Sequence, residues 1–234
     1  MVALSARLAL AASLVPRGCR FADVGTDHAF LPVWLVSSGR IDSAIATDLR
    51  RGPLNRAGET AARFGLTGQI DLRLCDGLEG LSPHEADCIA ITGMGGETIR
   101  SILSAAPWTR EDTLLLLQPQ SNQGELRLWL AREGYRIERE HCLFEDEHWY
   151  TFLEVTGGED PAPDPAEALM GCPERWAEGE PWRDFLAHQL QRMERQWDGL
   201  MCAQALDPER MEELAWLMET LGAWLDEMPE EDSI

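Results

Sequence analysis

The residues best suited to chemistry stand where apolar runs of the chain end. The run at residues 20–24 is followed by Gly25-Thr26-Asp27-His28, and the run at 44–47 is followed by Asp48. A glycine directly after a buried strand lets the backbone approach a ligand, and a carboxylate about 20 residues later can bind ribose hydroxyls. The pattern is typical of the first half of a nucleotide-binding α/β unit.

The turn after the first run also indicates the charge of the ligand. Gly25 is followed by Thr26, Asp27 and His28, whereas two further glycines would leave room for a pyrophosphate. The carboxylate of Asp27 would repel a pyrophosphate and suits a cation. The pattern therefore favours a sulfonium cofactor, S-adenosylmethionine, over NAD.

Alternating apolar and helical patterns predict the elements that carry these residues. Five apolar runs linked by helices are followed by two runs, at 135–143 and 150–155, that suit an antiparallel pair at a sheet edge. The predicted fold class is α/β, with a mixed seven-stranded, Rossmann-like sheet. The first five strands are predicted at residues 20–24, 44–47, 70–74, 87–92 and 113–117. The helices that follow the first, second, fourth and fifth of these strands are predicted at residues 29–38, 54–64, 97–105 and 126–133.

The candidate motifs share one position in this fold, because all fall at the carboxyl ends of the predicted strands. Sheets of this kind bind their ligands there. This coincidence is stronger evidence than any single motif. The motifs are Gly25 to His28, Asp48, Asp76-Gly77, Gly93-Met94-Gly95-Gly96 and Gln118-Pro119.

The last third of the chain is predicted to be a helical appendage. Residues 157–180 are rich in proline and acidic residues and are predicted to form a linker. In residues 181–234, apolar side chains recur at spacings of three and four on both sides of Asp207-Pro208, which favours an antiparallel helical hairpin. Residues 1–156 then form the nucleotide-binding domain, with residues 1–19 as a helical lead-in.

Charge and cysteine content limit the surroundings of the protein. The net charge is −21, of which −15 falls in residues 157–234, and there is no lysine. Such a field repels nucleic acid unless arginines cluster locally. The six dispersed cysteines, with no C-x-x-C pair, are typical of reduced thiols in a cytoplasmic protein and predict no metal site. No apolar run approaches the roughly 20 residues that span a bilayer.

With the motifs in place, the chain resembles the bacterial tRNA (adenine-22-N1)-methyltransferase family over residues 1 to about 155. The most specific match is Asp27-His28-Ala29-Phe30-Leu31-Pro32 beside Gly93-Met94-Gly95-Gly96. The resemblance implies a class I methyltransferase domain with a C-terminal helical appendage, and methyl transfer from S-adenosylmethionine to N1 of an adenine in tRNA. Further matches are Leu4-Ser5-x-Arg7-Leu8, Ala12-Ser13-x-Val15-Pro16-x-Gly18, Asp76-Gly77-Leu78, Leu117-Gln118-Pro119 and Leu126-Arg127-x-Trp129-Leu130.

The chemistry of this transfer assigns roles to the turn after the first strand. Adenine N1 carries a free lone pair, so attack needs no strong base, but it leaves the ring cationic. We expect Asp27 near the reacting centre, either touching the adenine N6 amine or stabilising the cation. The alternative for Asp27 is a helix N-cap. His28 is expected to contact base or cofactor, and its alternative is a neutral histidine packed at the turn.

The other candidates divide between cofactor and substrate. Purely structural roles remain as alternatives to ligand binding: Asp23 could brace the loop, Asp48 could cap the strand end, 76–77 could be a simple Asp-Gly turn, and 93–96 could be a glycine-rich turn. The expected cofactor-binding residues are Asp23, Gly25, Thr26, Asp48, Asp76, Gly77, Leu78 and Gly93, and the expected substrate-binding residues are Arg7, Met94, Gly95, Gly96, Gln118 and Pro119. Candidates for phosphate contacts are Arg7, Arg50, Arg51, Arg56, Arg100 and Arg127.

Other functions remain as alternatives to tRNA methylation. The acidic surface favours a different acceptor, either another RNA or a small amine. A non-catalytic module, with an acidic hairpin that binds a basic protein, is a second alternative. The expected partner is tRNA, without a membrane or a metal, and the protein is expected to be a monomer or a weak homodimer.

Overall fold

The computed structural model describes residues 2–202 and 207–229. Its centre is one sheet of seven strands. They are β1 (Phe21–Val24), β2 (Ala44–Asp48), β3 (Ile70–Leu74), β4 (Cys88–Met94), β5 (Leu114–Pro119), β6 (Tyr135–Glu145) and β7 (His148–Gly157).

The strands lie in the order β3-β2-β1-β4-β5-β7-β6. The first five strands run parallel to one another, and β7 runs antiparallel to both β5 and β6. The mixed seven-stranded sheet predicted from the sequence is confirmed. The chain order reverses between β1 and β4, so their carboxyl ends flank the crevice in which such sheets bind ligands.

Helices cover both faces of the sheet. Side chains of α1, α2 and α3 form a core with one face, while α4 and α5 form a second core with the other face. Successive residues of a strand alternate between the two cores, as the pleat requires. These helices are α1 (Ala6–Leu14), α2 (Phe30–Ser37), α3 (Arg51–Arg63), α4 (Gly96–Ala105) and α5 (Gln123–Arg132).

The segment between the sheet and the hairpin is more ordered than its composition predicted. We expected a linker over 157–180, but it contains helix α6 (Pro165–Met170) and a 3₁₀ turn at Pro173–Arg175. Asp164 and Glu167 form a reciprocal capping box at the start of α6. Ala166 and Met170 are buried in a third core with the hairpin. The linker interpretation is therefore corrected to a packed connection.

The hairpin consists of α7 (Trp182–Met201) and α8 (Pro208–Glu227). The Asp207 side chain caps α8 by accepting a hydrogen bond from the backbone of Arg210. Within the described part of the chain, no helix has the length and apolar character needed to cross a bilayer.

Candidate active site

A cavity of about 520 Å³ lies at the point where the sheet order reverses. Its wall is built from the turn after β1, from the end of β4 and from α1. The structure brings together seven residues assigned from the sequence with others that were not. The assigned seven are Arg7, Asp23, Gly25, Thr26, Asp27, His28 and Gly93, and the others include Phe30 and Gln120.

The turn after β1 is held against its neighbouring strands. The backbone N–H groups of Gly25 and Thr26 both donate to the Thr47 carbonyl, at 2.8 and 2.9 Å. Gly25 has a φ of 76°, and a Cβ at this position would lie 2.2 Å from the Met94 methyl carbon. Only glycine satisfies both conditions. This contact joins the turn after β1 to the end of β4.

Asp27 does not cap a helix, so the alternative assigned to it from the sequence is wrong. Helix α2 begins at Phe30, with Ala29 as N-cap and no side-chain cap. The Asp27 carboxylate instead forms an ion pair with Arg56 of α3 and lies 3.7 Å from Nε2 of His28. More than half of the Asp27 side chain (57%) is exposed where it lines the cavity. The carboxylate is thus held in place while remaining accessible.

Asp23 lies in a different environment, buried near the end of β1. Burial raises the pKa of its carboxyl to about 6, and the charge of Asp48 adds to the rise. The Thr26 hydroxyl is itself buried, and it makes no hydrogen bond of normal geometry with any residue that the structure describes. A buried carboxylate beside an unsatisfied hydroxyl fits a ligand that carries both an ammonium and a carboxylate group.

The ends of β2 and β3 lie beyond the lining of this cavity. The buried Asp48 accepts a hydrogen bond from the Arg50 backbone on Oδ1, at 2.8 Å, as a strand-end cap does. The turn Asp76-Gly77-Leu78 follows β3, and Leu78 points into the core. The Gly77 carbonyl accepts from the Thr47 hydroxyl at 3.3 Å. Cofactor contacts of Asp48, Asp76, Gly77 and Leu78 stay a prediction.

Gln118 is fully buried and links the cavity wall to α1. Its Oε1 accepts hydrogen bonds from Nη1 of Arg7 at 3.2 Å and from the backbone of Gly93 at 3.0 Å. The Arg7 guanidinium also lies over the ring of Tyr150, 5.5 Å from its centroid. Gln118 therefore positions Arg7 and does not itself line the cavity.

The glycines at the start of α4, Gly95 and Gly96, have roles in the backbone structure. Gly95 is the N-cap of α4. A Cβ at Gly96 would lie 2.5 Å from the Asn122 carbonyl oxygen, and the Gly96 N–H donates to Ser121 at 2.8 Å. Met94, Gly95, Gly96, Gln118 and Pro119 lie outside the cavity lining, so substrate contacts of these residues also stay a prediction.

The candidate phosphate-binding arginines lie in different surroundings. Arg127 is a wrong candidate, because it is 2% exposed and its guanidinium binds Glu140 at 2.7 Å. Arg56 is engaged by Asp27. Arg50 and Arg51 are exposed beside the end of β2, and Arg7 lines the cavity.

Phe30 and Gln120 line the cavity and were missed, although each had a signal in the sequence. Phe30 stood inside the motif that carried the family resemblance. Gln120 follows the Gln118-Pro119 motif and lines the cavity.

Comparison with known proteins places this geometry in a family. A methyltransferase domain model matches residues 4–153. The tRNA (adenine(22)-N(1))-methyltransferase of Bacillus subtilis (strain 168) is 38% identical over 161 residues, which are 67% of this chain. The match spans 66% of that relative's length.

Solved structures extend the similarity to nearly the whole chain. The B. subtilis M1A22 tRNA methyltransferase TrmK is 31% identical, with a TM-score of 0.82 over 97% of this chain and 100% of that chain. TrmK of M. capricolum, in complex with the cofactor product S-adenosyl-homocysteine, is 28% identical, with a TM-score of 0.78 over 95% of this chain and 98% of that chain.

The residues of the cavity fit the cofactor of such enzymes. S-adenosylmethionine carries an ammonium, a carboxylate and a sulfonium, which the Asp23 carboxylate, the free Thr26 hydroxyl and the accessible Asp27 carboxylate can each complement. The fold, the cavity and the matches agree. The chain belongs to the methyltransferase domain family and, within it, to the tRNA (adenine-22-N1)-methyltransferases.

Proposed function

We propose that this protein transfers the methyl group of S-adenosylmethionine to N1 of adenine 22 in tRNA. The observation that carries the proposal is the open cavity between β1 and β4, which is lined by an accessible carboxylate, Asp27, and by a buried one, Asp23. The family to which the chain belongs supplies the acceptor atom.

The chemistry asks little of the protein beyond position and charge. The N1 lone pair attacks the methyl carbon, an N–C bond forms as the S–C bond breaks, and the sulfonium leaves as a neutral thioether. No proton has to be removed for attack, and the positive charge passes from sulfur to the adenine ring. A fixed carboxylate near the ring stabilises the charge that develops there.

Asp27 would have this role. Arg56 holds the carboxylate from the α3 side, while the other side faces the cavity. The N6 amine of a bound adenine becomes a stronger hydrogen-bond donor as the ring gains charge, so a bond from N6 to Asp27 strengthens during the reaction. N1 lies on the Watson–Crick edge, so the target base must leave its stack to enter the cavity.

The remaining cofactor contacts follow the strand ends. Asp23 and Thr26 would bind the amino-acid end of the cofactor, with Gly25 and Gly93 giving close backbone approach. Asp48 would bind the ribose hydroxyls with its remaining oxygen. Asp76, Gly77 and Leu78 would border the cofactor adenine.

The tRNA would approach from the side of α1. Arg7 is held by Gln118 and Tyr150 at the cavity wall, where its guanidinium can meet a phosphate of the flipped nucleotide. Met94, Gly95, Gly96 and Pro119 would shape the adjoining wall.

A second cavity, of about 580 Å³, shares Gln120 with the first and continues towards α7. Its lining includes His148 from β7 and the exposed His188 and Arg192 from α7. We include this surface in the tRNA path because it shares Gln120 with the cavity proposed to hold the target base.

We propose a monomer or a weak homodimer as the working form. The six free cysteines support a reducing compartment, and we place the protein in the cytoplasm.

The test is methylation of unmodified tRNA by the purified protein with S-adenosylmethionine, followed by mass spectrometry of the nucleosides. We expect N1-methyladenosine. Its absence, with methyl groups appearing on another nucleoside or on none, would reject the proposal. Weak tRNA binding that does not change with salt would favour a different acceptor, because phosphate contacts make binding fall steeply with salt.

A further inference from the structure

The turn that carries Asp27 has an unusual backbone. Both Asp27 and Ala29 adopt left-handed conformations, with φ of 44° and 54°. Asp tolerates this region moderately well, but alanine has no side-chain group to compensate for its steric cost. A strained conformation of this kind is common at functional sites, where the surrounding structure holds side chains in a required position.

Two flat rings are stacked on each other in this turn. Residue 28 lies between the two left-handed residues, and Phe30 follows them as the first residue of α2. The rings of His28 and Phe30 are stacked, with their planes 9° apart and their centroids at 5.1 Å. Both residues line the cavity.

Phe30 is not buried in the core. It is 38% exposed, whereas the next residue, Leu31, is 2% exposed and packs between α2 and the sheet. A phenylalanine exposed in a cavity leaves apolar surface in contact with water unless a ligand covers it. The ligand that covers it should present a flat apolar face.

We propose that Phe30, supported by His28, is the surface on which the target adenine stacks when it enters the cavity. This assignment rests on the proposed function and adds to it a residue that holds the base. Stacking on an aromatic ring replaces the stacking that the base loses when it leaves the RNA helix. Asp27, in the same turn, then meets the edge of the stacked ring.

The arrangement also explains why the turn is strained. Asp27 and Phe30 contact different parts of the same base, its polar edge and its face. Left-handed residues stand at positions 27 and 29, and the side chains of Asp27 and Phe30 border one cavity. Phe30 is thereby a binding residue, and its effect should appear in tRNA recognition and not in cofactor recognition.

The experiment compares Phe30→Ala, Phe30→Leu and Phe30→Tyr with the wild type. We expect Phe30→Ala to lower kcat/KM for tRNA roughly 5- to 100-fold, the range of one base–aromatic contact. Phe30→Tyr keeps the ring and should stay within about threefold of the wild type. Phe30→Leu keeps apolar volume without a ring and should resemble Phe30→Ala. The affinity for S-adenosyl-homocysteine should be unchanged in all three.

Trp216→Ala is the matched control, since Trp216 is a similarly exposed aromatic residue on α8 (42%). A fluorescent readout separates stacking from folding: 2-aminopurine at position 22 of the tRNA should be brighter in complex with Phe30→Ala than with the wild type, because an unstacked 2-aminopurine is less quenched.

Three results would overturn the assignment: full activity of Phe30→Leu, a parallel loss of S-adenosyl-homocysteine affinity, or equal fluorescence in the two complexes. If the wild type makes no N1-methyladenosine, the proposed function itself fails, and this failure is seen before any variant is measured.

Discussion

Two carboxylates only four residues apart, Asp23 in β1 and Asp27 in the turn that follows, lie in different surroundings that suit them to different roles. Asp23 is buried, and the pKa of its carboxyl is raised to about 6, whereas Asp27 is exposed and paired with Arg56. A buried carboxylate gains most from a ligand cation that replaces lost water. An accessible carboxylate with one side fixed can meet a charge that appears only during the reaction.

Asp27→Asn tests the second role. The substitution keeps size and polarity but removes the charge, so we expect kcat to fall about 100-fold while the affinity for S-adenosyl-homocysteine changes less than threefold. Asp71→Asn is the matched control, because Asp71 is also an arginine-paired carboxylate with a similar side-chain exposure of 58%. Equal activity of the two variants in a single-turnover assay would remove Asp27 from the mechanism.

The raised pKa of Asp23 predicts how cofactor binding depends on pH. As the pH falls through about 6, the folded cofactor-free protein takes up a proton on Asp23 and loses the charge that attracts an ammonium group. The dissociation constant for S-adenosyl-homocysteine should therefore rise about tenfold per pH unit below 6. Asp23→Asn should bind weakly and with no such dependence between pH 5 and 8, as measured by calorimetry.

Ionisation of Asp23, which favours cofactor binding, has the opposite effect on the stability of the cofactor-free protein. The folded pKa of Asp23 lies above the value of an unfolded chain, so its ionisation destabilises the cofactor-free fold as the pH rises through about 6. Asp23→Asn should thus be at least as stable as the wild type at pH 7.5. A large loss of stability would instead show that the carboxylate braces the loop.

At the scale of elements, two buried ion pairs join the sheet to the appendage. Arg127 of α5 binds Glu140 of β6, and Glu140 also accepts from the Cys172 backbone at 3.0 Å. Burial lowers the pKa of His141, but hydrogen bonds to Glu154 and Glu180 outweigh it and raise the pKa to about 9. These contacts fix the segment that precedes α7 against β6 and β7.

Arg127→Met tests this connection. It leaves the buried Glu140 without its cation, so we expect the free energy of unfolding to fall by about 3–5 kcal/mol in urea titrations. Arg136→Met removes an exposed ion pair with Glu138 on the same strand and should cost less than about 1 kcal/mol. Similar losses in the two variants would contradict the assigned role of the buried pair.

The element types could be predicted from the sequence, but several starts and ends could not. Helix α3 begins at Arg51 and α5 at Gln123, three residues before their predicted starts, because the polar first turns carry no apolar signal. Strand β5 continues through Gln118, whose burial depends on hydrogen bonds to Arg7 and Gly93 from distant segments. Pattern alone does not predict such partners.

The candidate site, too, could be predicted from the sequence only in part. The residues at the ends of β1 and β4 were predicted because strand ends of parallel sheets converge. Asp27 pairs with Arg56 from a turn with left-handed residues, and the residue types in Asp27-His28-Ala29 do not predict such a turn. Helix α6 did have a signal, the capping residues Asp164 and Glu167, but the proline content masked it.

At the scale of the whole molecule, the question is how a chain of net charge −21 binds a polyanion. The proposed tRNA path uses few cations, and Arg192 is the one contributed by the hairpin to the second cavity. Most of the net negative charge, −15 of −21, lies in residues 157–234, so local placement of arginine matters more than the total.

Arg192→Ala and Arg195→Ala form a matched pair on α7. Arg192 lines the second cavity, whereas Arg195 is exposed and bonds the Gln191 carbonyl. We expect Arg192→Ala to weaken tRNA binding and to reduce the slope of log affinity against log salt by about one, with Arg195→Ala unchanged. No difference between the two in filter binding would place the hairpin outside the tRNA path.

The most direct test of the account is the site of methylation in a defined tRNA. We would incubate the protein and S-adenosylmethionine with two transcripts of one tRNA, carrying adenine or guanine at position 22, and map N1 methylation by primer extension. The account predicts a stop at position 22 in the first transcript and no methyl incorporation in the second. Equal incorporation into both would contradict it.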